Sequence, residues 1–201
     1  MKISKQRLES FSDGIIAIII TIMILNIPLP NNFTRNAILG LMNSIFVYFV
    51  TFFVVAYQWN KHHHLFNHLE KVTTKIIWMN FLFLFFLSLI PLFTKWLIQN
   101  PGEVVPAIGY DIVYMLVNIS LQFMFKYVAH DMIHDRMKEL KENNKFSWFH
   151  VSGMLIAIIA IIVFSVYYPR VSIVFFIVVP IVSSLLNLLS EDSELWNRRA
   201  R

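Results

Sequence analysis

The chain has 201 residues, of which 57% are hydrophobic, 15% aromatic and 14% charged, with a mean hydropathy of +0.62. A soluble domain carries about a quarter charged residues, so that class is excluded; Cys 0, Gly 5 and Pro 7 exclude disulfide scaffolds, thiolate metal sites, collagen-like and low-complexity chains as well. The net charge of +5 does not point to nucleic acid, because the basic residues flank apolar segments and alternate with acids at Arg136–Lys145.

A hydrocarbon core of about 30 Å takes roughly 20 mainly apolar residues per helix. Six segments qualify, in chain order Phe11–Ile27, Ala37–Trp59, Ile76–Trp96, Ala107–Val128, Phe149–Tyr167 and Val171–Leu189. Their unbroken apolar character favours helix, and the alternating ten-residue strands of a membrane β-barrel are absent. The expected fold is all-α, a polytopic membrane protein with six transmembrane helices forming a single domain over 1–201. No linker, composition shift or internal repeat divides it.

The first span opens on a basic flank, Lys2, Lys5 and Arg7, and closes at Pro28 and Pro30, where a helix cannot continue. It is too long for a signal peptide, carries Asp13, and has no small-residue cleavage site after Ile27. Lys61, Lys71 and Lys75 lie between spans two and three. Lys126, Arg136, Lys138, Lys141 and Lys145 lie at or within the four–five connection, where Asp131–Lys145 reads as a helical extension. Arg198, Arg199 and Arg201 close the chain. Fourteen basic residues thus share one side against three, Arg35, Lys95 and Arg170, on the other, which predicts that both termini are cytoplasmic.

Arg7, Ser10, Ser12, Asp13 and Gly14 crowd the start of the first span. An acid carried into the membrane costs about 2.5–3.5 kcal/mol on insertion scales and needs a partner or a water-filled path; at headgroup depth it instead complements the helix N-terminus. Beyond it, Ile18, Ile22 and Leu25 form one stripe at i, i+4 and i+7, with Thr21 on its flank. Such a stripe is ordinarily bundle packing. Repeated around an axis, it becomes stacked apolar rings able to gate ions by dewetting.

The octapeptide from Arg7 to Gly14, RLESFSDG, resembles the R-x-x-x-F-S-D signature that opens the transmembrane protein 175 family, lysosomal potassium channels and their prokaryotic relatives. Trp59 followed by His62, His63, His64, Leu65 and Phe66 is similar to the W-x-x-H-H-x-x-F stretch after that family's second span, and Asn80 to Pro91 (NFLFLFFLSLIP) to its third. The resemblance covers about the first 95 residues; the second half matches in span count and hydropathy only. It implies a homotetramer in which the first helix lines the pore without a P-loop filter. Ile18, Ile22 and Leu25 would then form the constriction and Thr21 a threonine layer linked to potassium preference. Arg7, Phe11, Ser12 and Asp13 would hold the pore helices together. Asn26 stands where many prokaryotic relatives carry an acid.

The seven histidines, His62, His63, His64, His68, His130, His134 and His150, all fall near the cytoplasmic side. His130 and His134 share the i, i+4 spacing that can hold a metal, and His64 and His68 repeat it. A histidine-cluster metalloenzyme of the oxygenase or desaturase kind is therefore an alternative. The plainer reading is interfacial residues in loops, His62 and His63 among them, some pairing with acids across helix ends. A secondary transporter would need broken helices or an internal repeat. No Walker loop, G-x-S-x-G or dinucleotide fingerprint is present.

The resulting expectation is a homotetrameric potassium-preferring cation channel in a prokaryotic plasma membrane. It is no enzyme, needs no cofactor and has no nucleic-acid partner; its partners are potassium ions, lipid and copies of itself.

Overall fold

The computed structural model describes residues 4–69, 71–136 and Tyr167, with the side chains of the long final helix described as far as Val128. Expected spans five and six apart from Tyr167, the connection after Arg136, His150 and the C-terminal arginines lie outside the described residues, as do the side chains of His130 and His134.

Among the described residues five helices follow one another: α1 Lys5–Leu25, α2 Arg35–Asn67, α3 Thr74–Ser88, α4 Ile90–Gln99 and α5 Val104–Arg136. The first three start at hydroxyl caps. Ser4 Oγ accepts from the Arg7 amide, Thr34 Oγ1 from Ala37 and Thr73 Oγ1 from Ile76, each satisfying an amide that the first turn leaves without a partner. α1 stops at Asn26, two residues before Pro28, because the residue preceding a proline is pushed out of helical geometry.

Among the described residues four segments are long and apolar enough to cross a membrane: Lys5–Leu25, Arg35–Asn67, Thr74–Gln99 and Val104–Val128. The third corresponds to the expected span Ile76–Trp96, but it is broken at Leu89. Pro91 has no N–H to return to Leu87, so the Leu89 amide closes a tighter turn onto Phe86 O at 3.2 Å and α4 restarts there. The next connection, Asn100-Pro101-Gly102-Glu103, is a type II turn. Gly102 has φ 88°, the left-handed conformation glycine tolerates, and the Glu103 amide donates to Asn100 O at 3.3 Å.

α1 packs against α2 and α3, α5 against α3 and α4, and α2 against α4. Met23, Val54, Phe83, Leu87, Val117 and Met124 fill the centre with no exposure. Large apolar side chains also cover the outside, among them Phe49, Leu82, Phe85 and Phe123. Polar Ser12, Gln58, His62, Asn80, Asp111 and Asn118 are buried inside. Lipid solvates apolar surface at no cost and cannot satisfy polar groups, so this distribution suits a bilayer.

The histidine expectation is corrected here. α2 continues about two turns past Trp59, so His62, His63 and His64 lie within the helix rather than in a loop. Trp59 and His63 meet Asp13 and Glu9 on α1, and His62 meets Asn80 on α3, as described next.

Candidate functional site

The first half of α1 is tied down by polar contacts. Ser12 is fully buried; its Oγ donates to Leu8 O at 2.9 Å and accepts from Asn80 Nδ2 at 2.9 Å. The Asn80 Oδ1 faces His62 Nε2 at 2.7 Å. Because Asn80 presents its carbonyl there, His62 donates from Nε2. The His62 ring is unexposed and stacks on Phe66 and Phe83, with centroids at 4.4 and 5.4 Å. One buried relay therefore joins α1, α3 and α2.

A second set lies nearer the surface. Asp13 Oδ1 accepts from the Trp59 indole at 2.8 Å, and that indole stacks on His63. His63 Nδ1 donates to the Glu9 carboxylate at 2.9 Å, which leaves Nε2 to accept from Asn67 Nδ2 at 3.2 Å. Lys5 Nζ donates to Asn67 O at 3.4 Å. Asp13 thus has the partner that an acid at the membrane boundary needs.

Phe11 meets Phe81 edge to face at 5.9 Å while half its surface stays open. The Arg7 side chain is exposed and makes no ion pair among the described residues. Of the four motif side chains, three are thus placed in contacts with α2 or α3.

The second half of α1 is different. Ile16, Ile19 and Met23 are buried on one face, whereas Ile18, Thr21, Ile22 and Leu25 are exposed on another, Leu25 at 82%. The Thr21 hydroxyl donates to Ile18 O at 2.8 Å within the helix, leaving its oxygen lone pairs outward-facing. Beside this stripe runs a groove of about 400 Å³, lined on α1 by Ile18, Ile22 and Asn26 and on α4 by Pro91, Leu92 and Lys95.

Sequence reading singled out Ser12 and Asp13, through the resemblance, as residues that hold helices together; Asn118 on α5 also joins Gln58 on α2 at 3.1 Å. It missed Glu9, Lys5, Gln58 and Asn67. The available signal was Gln58 and His62, four apart in an apolar helix, which marks a polar seam. Ser44, Ser88 and Ser120 bond to carbonyls of their own helices.

A family model described as "Endosomal/lysosomal potassium channel TMEM175" matches residues 7–91, from the motif arginine to the proline at the helix break. A protein of Chryseobacterium sp. (strain P1-3), named as a potassium channel, is 34% identical over 191 residues, covering 89% of this chain and 92% of that one. The mouse protein named as endosomal/lysosomal proton channel TMEM175 is 37% identical over 102 residues, 45% of this chain and 20% of its own length. Among solved structures, the crystal structure of a lysosomal potassium-selective channel TMEM175 homolog from Chamaesiphon minutus superposes with a TM-score of 0.72 at 22% identity. The match covers 90% of this chain and 96% of that chain.

Proposed function

The chain belongs to the TMEM175 channel family, and from that premise we propose that it assembles as a homotetrameric, potassium-preferring channel of the cell membrane. In this reading the chain is one six-span domain with both termini cytoplasmic, and α1 lines the ion pathway. The observation that carries the reading is the division of α1. Its early polar face is locked to α2 and α3, while Ile18, Thr21, Ile22 and Leu25 stay exposed, Ile18 and Ile22 along the groove beside α4.

Cyclic symmetry turns one stripe into complete rings, which a single chain cannot supply from one helix. Rings of Ile18, Ile22 and Leu25 hold a dry constriction when narrow, and opening widens or wets them. Ions cross hydrated elsewhere. Thr21 supplies oxygens where partial dehydration is required, which favours the more easily dehydrated cation. Arg7, Phe11, Ser12 and Asp13 act on position and contribute no ion ligand.

The test is ion flux from proteoliposomes holding purified protein, wild type beside Ile22→Ala and Leu25→Ala. Protein-dependent potassium flux that exceeds sodium flux, and leaks or loses discrimination in the variants, is the expected result. Equal conductance and selectivity in all three proteins removes α1 from the pathway. Since the mouse relative is named as a proton channel, the same vesicles carry a pH-sensitive dye to measure proton flux.

A further inference from the structure

Two side chains at the end of α2 are used by nothing described so far. His64 and His68 are exposed, lie four residues apart on one face, and bring their rings to a centroid separation of 4.6 Å at 63° between planes. We propose that they form a two-histidine site for a divalent transition-metal ion of the zinc, nickel or copper kind.

The distance fits. Imidazole nitrogen sits about 2.0–2.1 Å from such an ion and about 1.1 Å from its own ring centre, so each centroid lies about 3.2 Å from the metal. Two rings on one ion at bond angles of about 90–110° then have centroids roughly 4.5–5.2 Å apart. The observed separation falls at the right-angled end of that range.

The proton arrangement fits as well. His68 Nδ1 lies 2.9 Å from His64 O, and a carbonyl only accepts, so Nδ1 carries the proton. That leaves Nε2 with a bare lone pair, and a ligating histidine is held and oriented in this way. Among the described residues no hydrogen bond engages the His64 ring, so it can present either nitrogen.

Local electrostatics favour a cation. His68 is the C-cap of α2, where the helix dipole ends negative. The nearest cation on the same helix, Lys61, is drawn one turn back over the Tyr57 ring at 4.5 Å. Two imidazoles without a thiolate suit borderline ions and not calcium or magnesium, with water completing the shell. A bound ion would staple the last turn of α2. That turn holds Asn67, whose carbonyl accepts from Lys5, and it follows His63, which donates to Glu9, so the ion would stiffen the seat of α1.

The experiment is independent of channel activity. Untagged full-length protein in detergent is titrated with ZnCl2 by calorimetry, beside His64→Ala, His68→Ala and the double variant. His130, His134 and His150 are left in place, so the readout is the difference from wild type. Each single variant is expected to weaken one site by roughly 100-fold, since each loses its chelating partner, and the double variant to lose one equivalent per chain. With Cu2+ in place of Zn2+, electron paramagnetic resonance of the wild type is expected to show two coupled nitrogens that the double variant lacks. Unchanged stoichiometry and affinity in the three variants, or a single coupled nitrogen, overturns the proposal. Both positions are exposed; a variant that fails to elute as wild type is replaced by His68→Gln, which must show the same weakening.

Discussion

Asn80 on α3 donates to the buried hydroxyl of Ser12 on α1 at 2.9 Å, across 68 positions of sequence. The same amide receives His62 on its other face, so one side chain holds three helices in register. Replacing it by Leu leaves Ser12 without a donor and His62 Nε2–H without an acceptor, both buried. An orphaned buried group costs about 1–3 kcal/mol. Asn80→Leu is therefore expected to lower stability by about 2–3 kcal/mol and Ser12→Ala by about 1, the latter near the modest values measured between membrane helices. Thermal unfolding in detergent orders the two; equal midpoints for both variants and wild type would sink the relay.

At Asp13 the geometry separates charge from hydrogen bonding. Asn presents the same Oδ1 acceptor to the Trp59 indole, whereas Ala presents none. Asp13→Asn is expected to keep thermal stability within about 0.5 kcal/mol of wild type, and Asp13→Ala to lose about 1 kcal/mol. Trp59→Phe, which retains the ring over His63 but lacks the N–H, should match Asp13→Ala. If Asn behaves like Ala, the carboxylate charge matters and the hydrogen bond does not.

Gly109 on α5 faces the ring of Phe93. A Cβ added there would lie 2.7 and 2.9 Å from two ring carbons and 3.3 Å from Trp96. Gly109→Ala forces that ring aside, an overpacking of about 1–3 kcal/mol. The double variant Gly109→Ala, Phe93→Leu should recover most of the loss. A stability unchanged by the alanine alone would show that α4 and α5 approach less closely.

The apolar constriction is tested by polarity at a constant number of side-chain heavy atoms. Ile22→Asn gives a side chain smaller than Ile but a ring less open than Ile22→Ala, and it supplies hydrogen bonds to water, so a dry ring becomes wet. Basal potassium flux from proteoliposomes is expected to rise several-fold. Flux at the wild-type level in a stable protein argues that Ile22 faces lipid.

How much of this was legible in the sequence depends on the kind of force involved. The four described spans were, because burial in lipid is paid in apolar length and length is visible. That Ile18, Ile22 and Leu25 share one face was also visible, since helical spacing places them there; that this face is exposed was not, because an apolar stripe reads equally as bundle packing. The break at Leu89 was less so: the late proline marked the place, but whether a proline bends or ends a membrane helix depends on which neighbours take up the freed carbonyls. The extra turns of α2 were hidden because Asn60 to His64 look like a polar loop. Only the folded chain shows Glu9 and Asn80 meeting His63 and His62 over separations of 54 and 18 residues.

All the interhelical hydrogen bonds of α1 among the described residues lie at Lys5, Glu9, Ser12 and Asp13. Past that point it rests on Ile16, Ile19 and Met23, contacts that act by dispersion and have no preferred angle. Mechanically, α1 is a beam clamped at one end and lying on a smooth support. Asp13 to Leu25 is twelve rises, about 18 Å, so a tilt of about 6° at the clamp swings the free end about 2 Å sideways. The side chain farthest from the clamp, Leu25, has the longest lever arm and moves without breaking a polar bond.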